Sequence, residues 1–196
     1  EAGARRVLLQ LPTGAGKTVL AAQMLHGVVA RGQRAWFVVH RRELLDQTLE
    51  TFTTAADLYT GTIAAGSPAT SAAPVQVCSV STLCRRVASV ASHRAALSPP
   101  DVIVWDECHH LGAATWTALA ARFPDAVHIG LSATPVRLDG KGLRAHFDAL
   151  LVGPSMADLM AAGYLSMYQL YAPPAPSLTG VHTVAGDYHK RELSAT

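Results

Sequence analysis

Five short apolar runs, Val7 to Leu11, Ala35 to His40, Val75 to Val80, Val102 to Trp105 and Val127 to Leu131, are spaced by longer helical patterns. Each run is apolar at nearly every position instead of at every second one, which is the pattern of strands covered on both faces. Such strands alternating with helices predict βα units and a mostly parallel sheet. Helices are expected near Lys17 to Ala30, Arg42 to Phe52, Thr82 to Ala91 and Ala114 to Ala121. A further helix is signalled by Ser155 as N-cap with Asp158 at the third helical position, followed by Leu159 and Met160 and stopped by Gly163. The stretch from Gly61 to Pro74 reads as a loop with room for one short strand. The run Pro173-Pro174-Ala175-Pro176 reads as a departure from the body, so residues 1–171 are expected to form one domain and 172–196 an extension or linker. A chain of 196 residues, 49% apolar, has the material for one sizeable core. It opens at Glu1 and enters a strand within a few residues, as expected of a piece of something longer.

Composition excludes more than it selects. With 16 basic against 14 acidic residues, net charge favours no class of partner. Local placement matters more, and three pairs stand out: Arg5-Arg6, Arg41-Arg42 and Arg85-Arg86. The cysteines Cys78, Cys84 and Cys108 are odd in number and lack metal-site spacing, which argues against a disulfide framework or structural zinc. Consecutive Cys108-His109-His110 cannot readily close around one tetrahedral ion. No apolar run approaches the roughly 20 residues needed to cross a bilayer, and the start does not resemble a signal peptide. A cytoplasmic, reducing setting is expected.

The residues Leu9-Gln10-Leu11-Pro12-Thr13-Gly14-Ala15-Gly16-Lys17-Thr18 join an apolar strand to a helix, the context that gives a Gly-rich match its meaning. Glycines let backbone N–H groups converge on an anion, and the helix adds its positive N-terminal end. Thr13 to Thr18, with Gly14, Ala15 and Gly16, are therefore candidates to cradle phosphates. Lys17 is suited to reach the β- and γ-phosphates of ATP, and the Thr18 hydroxyl to ligate Mg²⁺. Leu11 stands where the strict pattern has glycine, so the loop is a variant.

Val102-Ile103-Val104-Trp105-Asp106-Glu107 is an apolar strand ending in two carboxylates. In a parallel sheet both strands deliver their ends to the same edge. Asp106 is thus expected beside the metal held by Thr18, and Glu107 is placed to polarise the water attacking the γ-phosphate. Trp36, Trp105 and Trp116 read as packing residues, not base-stacking platforms.

These segments together resemble the superfamily 2 helicases. Asp106-Glu107-Cys108-His109 matches that family's Asp-Glu-x-His box, and Pro12-Thr13-Gly14-Ala15-Gly16-Lys17-Thr18 matches its usual phosphate loop. Leu131-Ser132-Ala133-Thr134-Pro135 resembles the Ser-Ala-Thr motif, Val39 to Gln47 resembles motif Ia, and Ser81-Thr82 resembles a later threonine motif. The stretch Thr134 to Leu143, with Gly163-Tyr164-Leu165, narrows the resemblance to bacterial and phage DNA-repair or restriction-associated helicases of the RadD-like branch. The resemblance implies a RecA-like three-layer sandwich that is the first of two such domains, with arginine fingers on the second. It implies catalytic roles for Lys17, Asp106, Glu107 and His109, and coupling through Ser132 and Thr134. It also implies contact between a nucleic-acid backbone, DNA in preference to RNA, and His40, Arg41, Arg42, Ser81 and Thr82. Unwinding and translocation along duplex DNA use the same motifs, and so would a nucleotide-gated binding module.

Overall fold

The computed structural model describes residues 3–67, 72–88, 98–110, 113–135, 142–169 and 171, together with 183–184 and 187–188. The chain divides into two compact units, Glu1–Leu165 and Ser166–Thr196. In the second unit, β8 (Thr183–Val184) pairs antiparallel with β9 (Asp187–Tyr188). The Pro-rich run 173–176 lies outside the described residues.

The first unit is built on a seven-stranded parallel sheet. In chain order its strands are β1 (Arg6–Gln10), β2 (Ala35–Val39), β3 (Thr60–Ile63), β4 (Val75–Ser79), β5 (Val102–Trp105), β6 (Val127–Ser132) and β7 (Ala149–Val152). Their order across the sheet is β3-β4-β2-β5-β6-β1-β7. The helices are α1 (Lys17–Ala30), α2 (Leu44–Ala56), α3 (Val80–Ala88), α4 (Ala113–Arg122) and α5 (Met156–Ala161). The five expected strands form, each within a residue or two of its expected limits. β3 is the one short strand allowed for in the segment read mainly as a loop, opening one residue before it, whereas β7 was not expected. Residues 89–91, expected to prolong α3, lie outside the described residues, as do 136–141 of the stretch used to narrow the resemblance.

Strand alternation builds the three layers. Along β2, Trp36 and Val38 join one cluster with Ile103, Trp105, Leu83 and Leu119, while Ala35, Phe37 and Val39 join the other with Ala21, Leu25, Phe52 and Val104. Every residue of β2, β4 and β5 is buried, because helices shield both faces. Burying a large apolar side chain of this kind stabilises the fold by about 1.5–3 kcal/mol. Trp36 and Trp105 are thus core residues, as expected, and the Trp105 indole N–H donates to His128 Nδ1 at 3.3 Å. The side chain of Trp116 lies outside what the structure describes. Helix α5 carries the expected capping box: Asp158 N–H donates to Ser155 Oγ, and Ser155 N–H donates to the Asp158 carboxylate. Gly163, at φ 76°, follows its end. Edge strand β7 leaves Leu150, Leu151 and Val152 at least half exposed. Among the described residues no helix is long and apolar enough to cross a membrane.

Candidate functional site

The sheet order decides which loops meet. Neighbouring strands β4, β2, β5, β6 and β1 run parallel, so their C-terminal ends line one edge. Along it stand Ser81 after β4, His40 to Arg42 after β2, Asp106 and Glu107 after β5, Ser132 closing β6, and the loop from Leu11 to Gly16 after β1. The last two are tied directly, Leu11 N–H donating to the Ser132 carbonyl at 3.0 Å.

Gly14 and Gly16 adopt positive φ, 81° and 74°, a conformation that glycine takes without the strain of a Cβ. Gly14 is needed for space as well, since a Cβ there would meet Leu165 Cδ2 at 3.0 Å. Leu165 therefore lies against the phosphate loop, a contact that the sequence does not disclose. Gly16 caps α1 with no side-chain hydrogen bond, and the first turn of α1 has no acidic residue. Its N–H groups and the positive end of its dipole are left for an anion.

Lys17 Nζ lies 3.3 Å from Glu107 Oε1, so the loop and the acidic pair converge on one point. Asp106 continues the strand ladder, its N–H donating to the Val38 carbonyl at 2.9 Å. Glu107 leaves the ladder in a left-handed conformation, φ 44°. Such a conformation costs a non-glycine residue about 1–3 kcal/mol and clusters at functional sites. Burial first, and the Glu107 carboxylate second, raise the Asp106 pKa to about 6 against the opposing pull of Lys17. A half-buried carboxylate beside a second one, with Thr18 in the first turn of α1, offers hard oxygen donors of the kind that suit a magnesium ion.

His109 Nδ1 lies 2.8 Å from Ser132 Oγ and 3.4 Å from Glu107 Oε2. Ser132 Oγ donates its proton to the Thr134 carbonyl at 2.6 Å and accepts from Thr134 N–H at 3.1 Å. Glu107 and the serine lone pairs can only accept, so Nδ1 of His109 is the protonated nitrogen facing both. Burial, ahead of His110, lowers the His109 pKa.

The candidate backbone contacts separate into two kinds. Arg41, Arg42 and Ser81 are exposed, whereas Thr82 is buried and His40 turns its ring inward against His110. Arg85 is exposed and donates to the Ser81 carbonyl, while Arg86 ties α3 to the Ala64 and Ser67 carbonyls. Cys108 is buried, and desolvation pushes its thiol up to about 12, which suits packing and not nucleophilic attack. Among the described residues no cluster of His, Cys, Asp and Glu is arranged to hold a metal by itself.

Fold and site define a phosphate-loop NTPase domain of the superfamily 2 helicase type, the first of its RecA-like domains. More narrowly, the chain belongs to the family of the type III restriction enzyme res subunit, whose pattern matches residues 1–137. It is 26% identical over 186 residues to a 51.5 kDa protein of a Lactococcus phage, covering 95% of this chain and 37% of that protein. It is 27% identical over 170 residues to the DNA 3'-5' translocase XPB2 of Sulfurisphaera tokodaii, covering 85% of this chain and 36% of that one. The Pyrococcus furiosus Hef helicase domain shares the fold with TM-score 0.65 at 18% identity, over 80% of this chain and 36% of its own. The chain thus spans little more than a third of the curated relatives' lengths.

Proposed function

We propose that this chain is the ATP-binding half of a motor that moves along nucleic acid, DNA in preference to RNA, and that a second RecA-like domain completes it. The observation that carries the reading is the convergence of Lys17 and Glu107, 3.3 Å apart, at the mouth of a glycine loop whose helix end is free for an anion. In this reading Thr13 to Thr18 wrap the phosphates, Thr18 and Asp106 hold Mg²⁺, and Lys17 neutralises the β- and γ-phosphates. When bound, the ion would compensate the charge of the phosphates. Glu107 orients the attacking water and accepts its proton. His109, bridging Glu107 and Ser132, links the hydrolytic carboxylate to the Ser132-Thr134 turn. Arg41, Arg42 and Ser81 hold the sugar-phosphate backbone through side chains and helix-end N–H groups, while His40 and Thr82 support that surface from within. Residues 1–171 are read as the ATP-binding domain and 172–196 as an extension or linker toward the second one. The stabilising arginine, worth roughly 10³- to 10⁵-fold in such enzymes, comes from the second domain, so this piece alone hydrolyses ATP slowly.

Translocation, with or without strand separation, is favoured by the name of the archaeal relative, a DNA translocase. The test is ATP hydrolysis by the intact protein with single-stranded DNA, duplex DNA and RNA. Lys17→Ala is expected to abolish turnover by weakening nucleotide binding, and Glu107→Gln to leave ATP bound and unhydrolysed. Wild-type rates in either variant would overturn the assignment.

A further inference from the structure

Three imidazoles from two separate segments form a continuous line of tilted ring contacts beside the hydrolytic centre. His40 ends the β2 segment, and its ring centroid lies 4.4 Å from that of His110 at an interplanar angle of 30°. The His110 ring lies 4.0 Å from that of His109 at 43°, and His109 in turn faces Glu107 and Ser132. Beyond the supporting place given to His40, the chemistry proposed above uses neither His40 nor His110.

Both ring nitrogens of His40 are buried and have no hydrogen-bond partner. Leaving two polar atoms unpaired is unfavourable, so no hydrogen bond accounts for the ring's placement, and its ring contact is with His110. Burial is the main cause lowering the pKa of both His40 and His109. The residue after His40 is the exposed Arg41, which is proposed to touch the nucleic-acid backbone. A displacement of the loop at Arg41 and Arg42 therefore moves a ring that is packed, through one intermediate ring, against the partner of Glu107.

We infer that His40 is a positioning residue, whose ring transmits the placement of the Arg41-Arg42 loop through His110 and His109 to Glu107, coupling backbone contact to hydrolysis. This rests on the motor reading. Contiguous packed elements of this kind change coupling by about 2- to 30-fold when interrupted.

The experiment measures steady-state ATP hydrolysis by the intact protein, with and without oligo(dT) or duplex DNA, alongside the DNA dissociation constant. His40→Ala and His110→Ala are each expected to lower the DNA-stimulated kcat by about 2- to 30-fold, while the KM for ATP and the DNA Kd stay within about twofold of wild type. The double variant should be no slower than the worse single one, because both interrupt one line of contacts. His40→Phe, which keeps a flat ring and discards the unpaired nitrogens, should retain stimulation and fold at least as well as wild type. Wild-type stimulation in His40→Ala would overturn the inference. So would a weakened DNA Kd that accounts for its loss, additive effects in the double variant, or a His40→Phe variant as impaired as alanine. A motor silenced by Lys17→Ala yet indifferent to His40 refutes this inference alone, whereas wild-type turnover in Lys17→Ala refutes the motor reading beneath it.

Discussion

Replacing Asp106 by asparagine should make the folded domain more stable while destroying its chemistry. Burial and Glu107 raise the Asp106 pKa from 3.8 to about 6, close to two units, and each unit corresponds to 1.36 kcal/mol, so ionising this group in the folded chain costs up to about 3 kcal/mol. The sign follows from linkage: below the unfolded pKa the group is protonated in both states and there is no penalty. As pH rises through the window from about 4 to about 6, the unfolded chain ionises freely and the folded chain reluctantly, so stability is lost and stays lost at higher pH. Asparagine is of the same shape and never ionises. Without magnesium or nucleotide, Asp106→Asn should therefore gain up to about 3 kcal/mol at about pH 8, or about 6–12 °C in Tm for a domain of this size. The gain should vanish near pH 4, where the wild-type carboxyl is neutral. Urea unfolding of both proteins, followed by tryptophan fluorescence across that pH range at constant salt, measures the difference directly. An Asp106→Asn variant no more stable than wild type at high pH, or an advantage that persists unchanged to low pH, would refute the electrostatic argument. The same variant should have no detectable ATP hydrolysis.

Two further outcomes are expected. Arg41→Ala should weaken DNA binding across sequences and reduce the salt slope of log K by about 1, since one phosphate contact is lost; an unchanged slope in a salt titration would remove Arg41 from the contact surface. Gly130→Ala should destabilise the domain by about 1–3 kcal/mol, because its Cβ would collide with the Phe147 ring and come 3.0 Å from Cys108 Sγ. Unaltered thermal unfolding would show that the Phe147 ring yields freely.

The meeting of Lys17 with Glu107 was legible before any coordinates because it follows from one rule: parallel strands bring their C-terminal ends to one edge. The capping box at Ser155 was legible because its signal is local, two side chains three residues apart. What the sequence concealed depends on neighbours chosen by the fold. β7 is a four-residue run with most of its side chains exposed, recognisable as a strand only through its pairing with β1. For β3, four residues containing a glycine, the sequence allowed a short strand without placing it, and its pairing with β4 fixes it. The His40–His110 contact exists because β2 lies beside β5 in the sheet, and no spacing along the chain announces that. Leu165 against Gly14 is equally a product of the path the chain takes after α5. The expectation that His40 and Thr82 face a nucleic acid followed from their place at strand ends; Thr82 is buried and His40 is half-buried with both ring nitrogens shielded, because a strand end faces inward as well as outward.

The backbone torsion at Glu107 separates two adjacent acids into two trades. A regular extension of β5 would send successive side chains to opposite faces of the sheet. Instead the chain turns left-handed after Asp106, so the Asp106 main chain stays tied to the strand ladder while the Glu107 carboxylate comes to lie beside Lys17. Such a turn is hardest on β-branched side chains, so valine, isoleucine or threonine at position 107 would carry a backbone handicap on top of the missing carboxylate. Selection at this position therefore acts on the shape of the main chain as well as on acidity.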